Sequence, residues 1–212
     1  MATYTPKTEL DYINRCLIGI GEVPLLEGVV LDDLAVGTDA DIAKRIIADT
    51  MVEVLSRGWW FNTDYNVKLV PDSVTKEIEM PDDTLKVDFG AQPQYRHKYI
   101  FRHPKIYNTY TFSYEIDEDY IEGDIIWYAD FESIPPEAAE YIAIRSMRKF
   151  QMHIIGATDL SQNNIAEEQD ALTNLQRLQA QIGDYSFKNP KVSTRTTNGY
   201  LIQGLYQTIA RR

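Results

Sequence analysis

Three histidines, one cysteine and an excess of carboxylates are the groups with which this chain could do chemistry. His97, His103 and His153 stand in no H-E-x-x-H, H-x-E or His/Cys-rich spacing, so neither a catalytic metal nor any other cofactor is expected. There is no G-x-S-x-G nucleophile turn and no phosphate-binding P-loop. The glycines of "GIGEVPLLEG" follow a helical pattern rather than a strand, which is the wrong context for a dinucleotide fingerprint. Cys16 lies beside a helical apolar stripe and reads as a small buried hydrophobe rather than a nucleophile. A lone cysteine can make no intrachain disulfide and implies no oxidising compartment.

The carboxylates leave one catalytic option open. Asp82, Asp83, Glu115, Asp117, Glu118, Asp119, Glu122, Asp124, Glu167 and Glu168 are all available. A glycosidase needs only two, about 5–10 Å apart, one of them with a raised pKa. With 32 acids in the chain some pair always looks suitable, and no catalytic residue is assigned. The run "EIDEDYIEGD" reads more simply as a solvated hairpin connection. In "YRHKYIFRH", Arg96, Lys98 and Arg102 share a strand face and suit either phosphate or an acidic neighbour; the net charge of -11 favours the neighbour.

The elements that must position these groups fall into three stretches. In "TELDYINRCLIGIGEVP", Thr8 and Asp11 stand at capping-box spacing, with Leu10, Ile13, Leu17 and Ile20 recurring at helical steps. In "TDADIAKRIIADTMVEVLSRG", Thr38 is the N-cap, Ile42, Ile46, Ile47, Met51, Val54 and Leu55 make the apolar face, and Gly58 sits at the left-handed terminating position. The period then changes to two. "YNVKLV", "KEIEM", "TLKVDF", "YRHKYIFRH", "KIYNTYTFSYEI" and "DIIWYADF" predict six short strands; in the fifth, Ile106, Asn108, Tyr110, Phe112, Tyr114 and Ile116 share a face, with Asn108 the odd member. Helices return with "IPPEAAEYIAIRSMRKFQMHII", whose seam is Ala139, Ala143, Met147, Phe150 and Ile154. A more polar helix follows, with Leu172, Leu175 and Ile182 inward.

The expected fold is therefore α+β: a four-helix bundle with an antiparallel β module, a small sandwich or barrel, inserted between the second and third helices. The domains are expected at 1–58 with 132–184 for the bundle, 59–131 for the β module, and 185–212 for an extended C-terminal tail. Trp59, Trp60 and Phe61 mark the corner between the second helix and the module. In extended chain Trp60 points opposite to its neighbours, so two apolar faces leave the corner and both need cover. Burying such rings contributes about 1.5–3 kcal/mol each. A structural corner, with Trp60 available to a strand or a neighbouring subunit, is the reading adopted over a ligand platform.

Hydrophobic content of 44% and charge of 25% describe a soluble globular protein, and 212 residues are enough for one generous domain or two small ones. The 14 tyrosines favour half-buried surfaces and interfaces. All 32 acids lie at or before Asp184, along with 16 of the 21 basic residues, so residues 1–184 carry -16 and the remainder +5. Lys188, Lys191, Arg195, Arg211 and Arg212 supply the tail's charge, and an acidic body with a basic tail can hold a neighbouring copy. No signal-peptide pattern and no membrane-length apolar run is present, so no membrane partner is expected and a cytoplasm is the expected place of assembly.

Three stretches together resemble the tail tubular protein A family, the adaptors or head-to-tail connectors of short-tailed bacteriophages (podoviruses). They are "INRCLIGIGEVPLLEG", "AKRIIADTMVEVLSRGWWFNTDYNVKLVPD" with its Ser-Arg-Gly-Trp-x-Phe-Asn core, and "FESIPPEAAEYIAIRSMRKFQMHIIGATDLSQNNIAEEQDA". Residues from about 10 to 183 follow the family in order, the β insert more loosely; the last thirty or so residues match no family motif. The resemblance implies a non-enzymatic, dodecameric ring of the chain with itself. The ring would stand between the portal protein and a nozzle of the tubular protein B kind, with a tail fibre as a further partner, at the head-tail junction of the virion. DNA would pass through without specific binding, and an acidic wall suits that passage. A closed ring needs two different complementary patches per subunit. The candidates are Trp60 and the basic Arg96, Lys98 and Arg102 against Glu115, Asp117, Glu118 and Asp119. The tail offers Tyr200, Leu201, Ile202, Leu205, Tyr206, Arg211 and Arg212 to portal or neighbour. The rival reading is a tail-associated polysaccharide or cell-wall hydrolase using a carboxylate pair; a DNA-packaging or scaffolding accessory is the third.

Overall fold

The computed structural model describes residues 7–90, 94–95, 97–156 and 159–182, with side chains of the last stretch described from 165 onward. Four helices and five strands occur among them: α1 (Glu9–Gly19), α2 (Asp39–Leu55), β1 (Thr63–Leu69), β2 (Thr84–Asp88), β3 (Tyr99–Arg102), β4 (Lys105–Asn108), β5 (Ile121–Trp127), α3 (Pro136–Ile154) and α4 (Asp159–Ile182). The protein is thus mixed α+β, and its described strands all fall between α2 and α3. They group into two units, 7–54 with 129–179, and 55–128 with 180–182.

In the helical unit, α1 begins where the Asp11 carboxylate accepts from both the backbone N–H (2.7 Å) and the hydroxyl (2.9 Å) of Thr8. It buries Tyr12, Ile13, Cys16 and Leu17, and packs along α3. Leu10 and Ile20 of the expected stripe are only half-buried, and Tyr12 joins the core instead, its ring 5.0 Å from that of Phe131. α2 is capped reciprocally: the Asp41 amide donates to the Thr38 hydroxyl (3.3 Å), and the Gly37 amide to the Asp41 carboxylate (2.9 Å). Ile47, Met51, Val54 and Leu55 are fully buried, whereas Ile42 and Ile46 sit at the margin. α3 has the widest buried face, from Ala138 to Phe150, while Ile154 at the end of the expected seam is exposed. On α4 only Leu175 of the three expected inward residues is fully buried; Leu172 is half-buried and Ile182 is exposed.

Five strands replace the expected six. β5 is central in a three-stranded antiparallel sheet of order β1-β5-β2, and β3 pairs with β4 in a second, two-stranded sheet. Leu69, Val87, Ile121 and Ile125 of the first sheet share one buried cluster with Tyr99 and Ile106 of the second. β5 starts at Ile121, inside the acidic run expected to be a hairpin connection. Its Gly123 lets the Phe89 ring lie close, since a Cβ there would stand 3.0 Å from Cε1 of that ring. "KEIEM" is not a strand. Asp72 bends the chain before it by accepting the Val74 and Thr75 amides (2.9 and 2.8 Å), and Ile78 and Met80 then anchor it by burial.

The expected strand "KIYNTYTFSYEI" also breaks. It stops at Asn108, whose side-chain carbonyl accepts the Tyr110 amide (3.0 Å) while its own amide donates to the Ser113 carbonyl (2.8 Å). Phe112 takes a left-handed backbone (φ 56°), which closes the turn. Ile106, Asn108 and Ile116 are buried, but Tyr110 and Phe112 are 65% and 79% exposed, so the six residues do not share a face. Asn108 was the odd member because it is the turn-former: an Asn side chain competes with the ladder for backbone donors.

Candidate interaction surfaces

The aromatic corner is built around Asn62, the last residue of the Ser-Arg-Gly-Trp-x-Phe-Asn core, to which the sequence assigned no role of its own. It is 3% exposed, and its side-chain carbonyl accepts the Trp59 amide at 2.8 Å. Its side-chain NH₂ donates to the carbonyls of Leu55 (3.0 Å) and Trp127 (2.8 Å). One carboxamide therefore closes the last turn of α2 and ties it to the end of β5. Gly58 makes the reversal possible with φ +73°, and a Cβ there would meet Ile126 Cδ1 at 2.8 Å. Trp59 is buried; Trp60 stays half-buried, its ring edge-on to Phe61 at 5.1 Å.

Of the charged candidates, Lys98 and Glu118 meet each other within one chain. The Tyr99 hydroxyl also donates to Glu118. The salt-bridging hydrogen bond to Glu118 raises the Lys98 pKa. Burial first, then that same carboxylate, pushes the Tyr99 phenol up to about 12. Lys98 precedes β3 rather than lying in it. Arg102 is exposed and stacks over the Tyr107 ring at 3.7 Å. Glu115, Asp117 and Asp119 are exposed and carry no ion pair among the described residues. A neighbour would therefore find Arg102 and these three acids, since Lys98 and Glu118 are already engaged. Arg96 and the tail residues Tyr200, Leu201, Ile202, Leu205, Tyr206, Arg211 and Arg212 lie outside the described residues.

The helical unit spends its charges on itself. Arg145 of α3 bridges Glu53 of α2 and Glu168 of α4; Arg148 joins Glu168, and Lys149 reaches Glu53 at 2.6 Å. Burial by itself would raise the Glu53 carboxyl, but hydrogen bonds from Lys149 and Arg145 outweigh it and hold the group at about 2. The same balance, with Arg148 and Arg145 as donors, lowers Glu168. Glu140 of α3 is held at about 2 first by Arg15, which it meets at 2.7 Å, and then by Lys7 at 3.1 Å.

Asp32, Asp41, Glu53, Asp72, Glu118, Glu140 and Glu168 all have their carboxyl pKa displaced downward, by the bonds and charges that hold them. A glycosidase acid needs the opposite displacement. Asp124 accepts the Asn66 amide (2.8 Å) at the bulge of β1, a structural use of one candidate acid. Cys16 is fully buried, which pushes its thiol up to about 12, far from the thiolate a nucleophile needs.

Two apolar displays went unread in the sequence. The α1–α2 connection holds Val23, Leu26 and Val36 at 81%, 79% and 85% exposure. Its lack of either period hid it: a stretch with apolar residues but no helical or strand repeat reads as a mere linker. The β4 turn holds Tyr110 and Phe112 outward, and an unbroken alternation hid that one. Exposed apolar groups mark a contact surface where they join into one patch.

These features define a two-unit α+β protein whose described polar clusters fasten its own elements and which leaves several large apolar groups exposed. A family model described as Tube, tail tubular protein, matches residues 10–185, and the chain belongs to that family. It is accordingly a structural component of a bacteriophage virion tail, working beside other tail proteins. Comparison with curated proteins gives no match.

Proposed function

We propose that this chain is the subunit of an adaptor ring that joins the portal of a short-tailed phage to the tail nozzle and lines part of the DNA-ejection channel. The family match, which runs through both units from residue 10 to 185, carries this reading. In it the helices make a bundle with the β module inserted, and a dodecameric ring closes through unlike patches on neighbouring copies. The net charge of -11 supports a wall that DNA can slide past without adhering. The outward Val23, Leu26, Val36, Tyr110 and Phe112 support burial against other subunits.

Electron microscopy of the purified chain mixed with its portal tests the reading. A closed ring with a central hole, docked on the portal, is the expected result. Chains that stay monomeric beside the portal would sink it. So would hydrolysis of host capsule or cell wall that a single Glu→Gln or Asp→Asn substitution abolishes.

A further inference from the structure

The connection between α1 and α2 is fastened at three points. Asn14 on α1 holds Leu25 from both sides, donating to its carbonyl (3.1 Å) and accepting from its amide (2.7 Å). Lys44 on α2 donates to the Leu31 carbonyl (3.1 Å) and the Asp32 carboxylate (2.6 Å). Asp41 holds the Gly37 amide. Leu26, Val30 and Val36 between these pins, and Val23 just before the first, face solvent. A loop whose backbone is so held, yet whose apolar side chains point outward, is a presented surface, because ordering it without covering those groups gains nothing.

The charge of the loop selects what can cover it. Residues 21–38 contain Glu22, Glu27, Asp32 and Asp33 and no Lys or Arg. Glu22, Glu27 and Asp33 are exposed with no ion pair among the described residues. Nucleic acid and anionic lipid are both repelled by such a surface. The chain itself holds the complement. Segment 185–212 has five basic residues, no acid, and an apolar run at Tyr200, Leu201, Ile202, Leu205 and Tyr206. Extended at about 3.3 Å per residue, that segment can reach about 90 Å, far enough for another subunit.

We infer that the α1–α2 loop is the seat of segment 185–212 from a second copy of the chain, the basic residues meeting Glu22, Glu27 and Asp33 and the apolar run covering Val23, Leu26, Val30 and Val36. The inference rests on the ring reading, since a closed ring supplies the neighbour. Loop and tail are the two unlike patches that a heterologous contact requires.

The test uses two full-length chains of different tag mass, co-expressed, one with Leu26→Cys and the other with Leu201→Cys, under mild oxidation; Val36→Cys serves as a second loop position. Buried Cys16 takes no part. The expected product is a disulfide between the two chains, reduced several-fold by Glu27→Lys with Asp33→Lys. Lys188→Glu with Lys191→Glu on the partner chain should restore it. Rings seen by electron microscopy with no such link, or a link formed only within one chain carrying both cysteines, overturn the loop–tail contact and leave the adaptor reading standing. A chain that builds no ring on the portal overturns the adaptor reading itself.

Discussion

Asn62 shows how one side chain can decide a corner. Its carboxamide serves three backbone groups, at Trp59, Leu55 and Trp127, the Leu55 carbonyl also accepting the Gly58 amide at 3.0 Å. Asn62→Ala removes three buried hydrogen bonds, each worth about 0.5–1.5 kcal/mol net and more where a group is left unpaired. The expected loss is about 2–4 kcal/mol, after some relaxation, in urea unfolding of the purified chain. Asn62→Asp should do no better, because a carboxylate cannot donate to the two carbonyls. A variant that unfolds at the wild-type midpoint would show the corner to be held by aromatic burial alone. Phe112 is the opposite case, a residue in a conformation that its type disfavours. Left-handed backbone costs a non-glycine residue about 1–2 kcal/mol, and an exposed ring recovers little of it by burial. Phe112→Gly should therefore stabilise the isolated chain by about 1 kcal/mol, read as a rise in urea midpoint. On the adaptor reading the same change weakens assembly, which sedimentation of wild-type and variant mixtures would detect.

At the scale of elements, α2, α3 and α4 are coupled through charge as well as packing. Removing Arg145 leaves Glu53 and Glu168 facing each other's field with less compensation. Arg145→Met should cost about 2–3 kcal/mol, below the full penalty for a stranded buried ion because the Glu53 side chain is 38% exposed. Acid should act on the same joints. Glu53 and Glu140 are both held at about 2 in the folded chain against an ordinary 4.5. Because the folded values are the lower ones, their contribution is complete above about pH 4.5 and is lost as pH falls toward 2. The melting temperature by circular dichroism should drop across that window, and more gently in a Glu53→Gln, Glu140→Gln double variant. Equal slopes in the two proteins would place the acid sensitivity elsewhere.

At the scale of the whole molecule, the adaptor reading requires a 24.4 kDa chain with net charge -11 to assemble by local complementarity against overall repulsion. Raising salt from low to moderate concentration should therefore help general association while weakening any specific basic-to-acidic contact. Analytical ultracentrifugation of the chain, alone and with the portal that the adaptor reading proposes, across a salt series, separates the two effects. Much of this scale was legible beforehand. Helical period and caps at Thr8, Thr38 and Gly58 located α1 and α2, since those signals are local and each has its own backbone requirement. The burial of Cys16 and the existence of a β region after Phe61 were legible for the same reason. What misled were signals whose meaning depends on distant chain. Alternation from Ile106 to Ile116 looked like one strand until Asn108 turned it, and Lys98 looked free until Glu118 reached it. Asn62 closes the Ser-Arg-Gly-Trp-x-Phe-Asn core, but its bonding could not be read there, because two of its three partners are near it only through the turn and one, Trp127, only through the sheet.

By itself the sequence determined the helices, the antiparallel character of the strands, the asymmetry of charge and the likeness to a tail family, because periodicity, capping and composition act over a few residues or over the whole sum. Tertiary structure alone decided which charges are consumed inside the chain and which apolar groups are left facing out. Those are properties of pairs brought together across long loops, where a single turn at Asn108 or a pinned connection at Leu25 reverses what the local pattern implies.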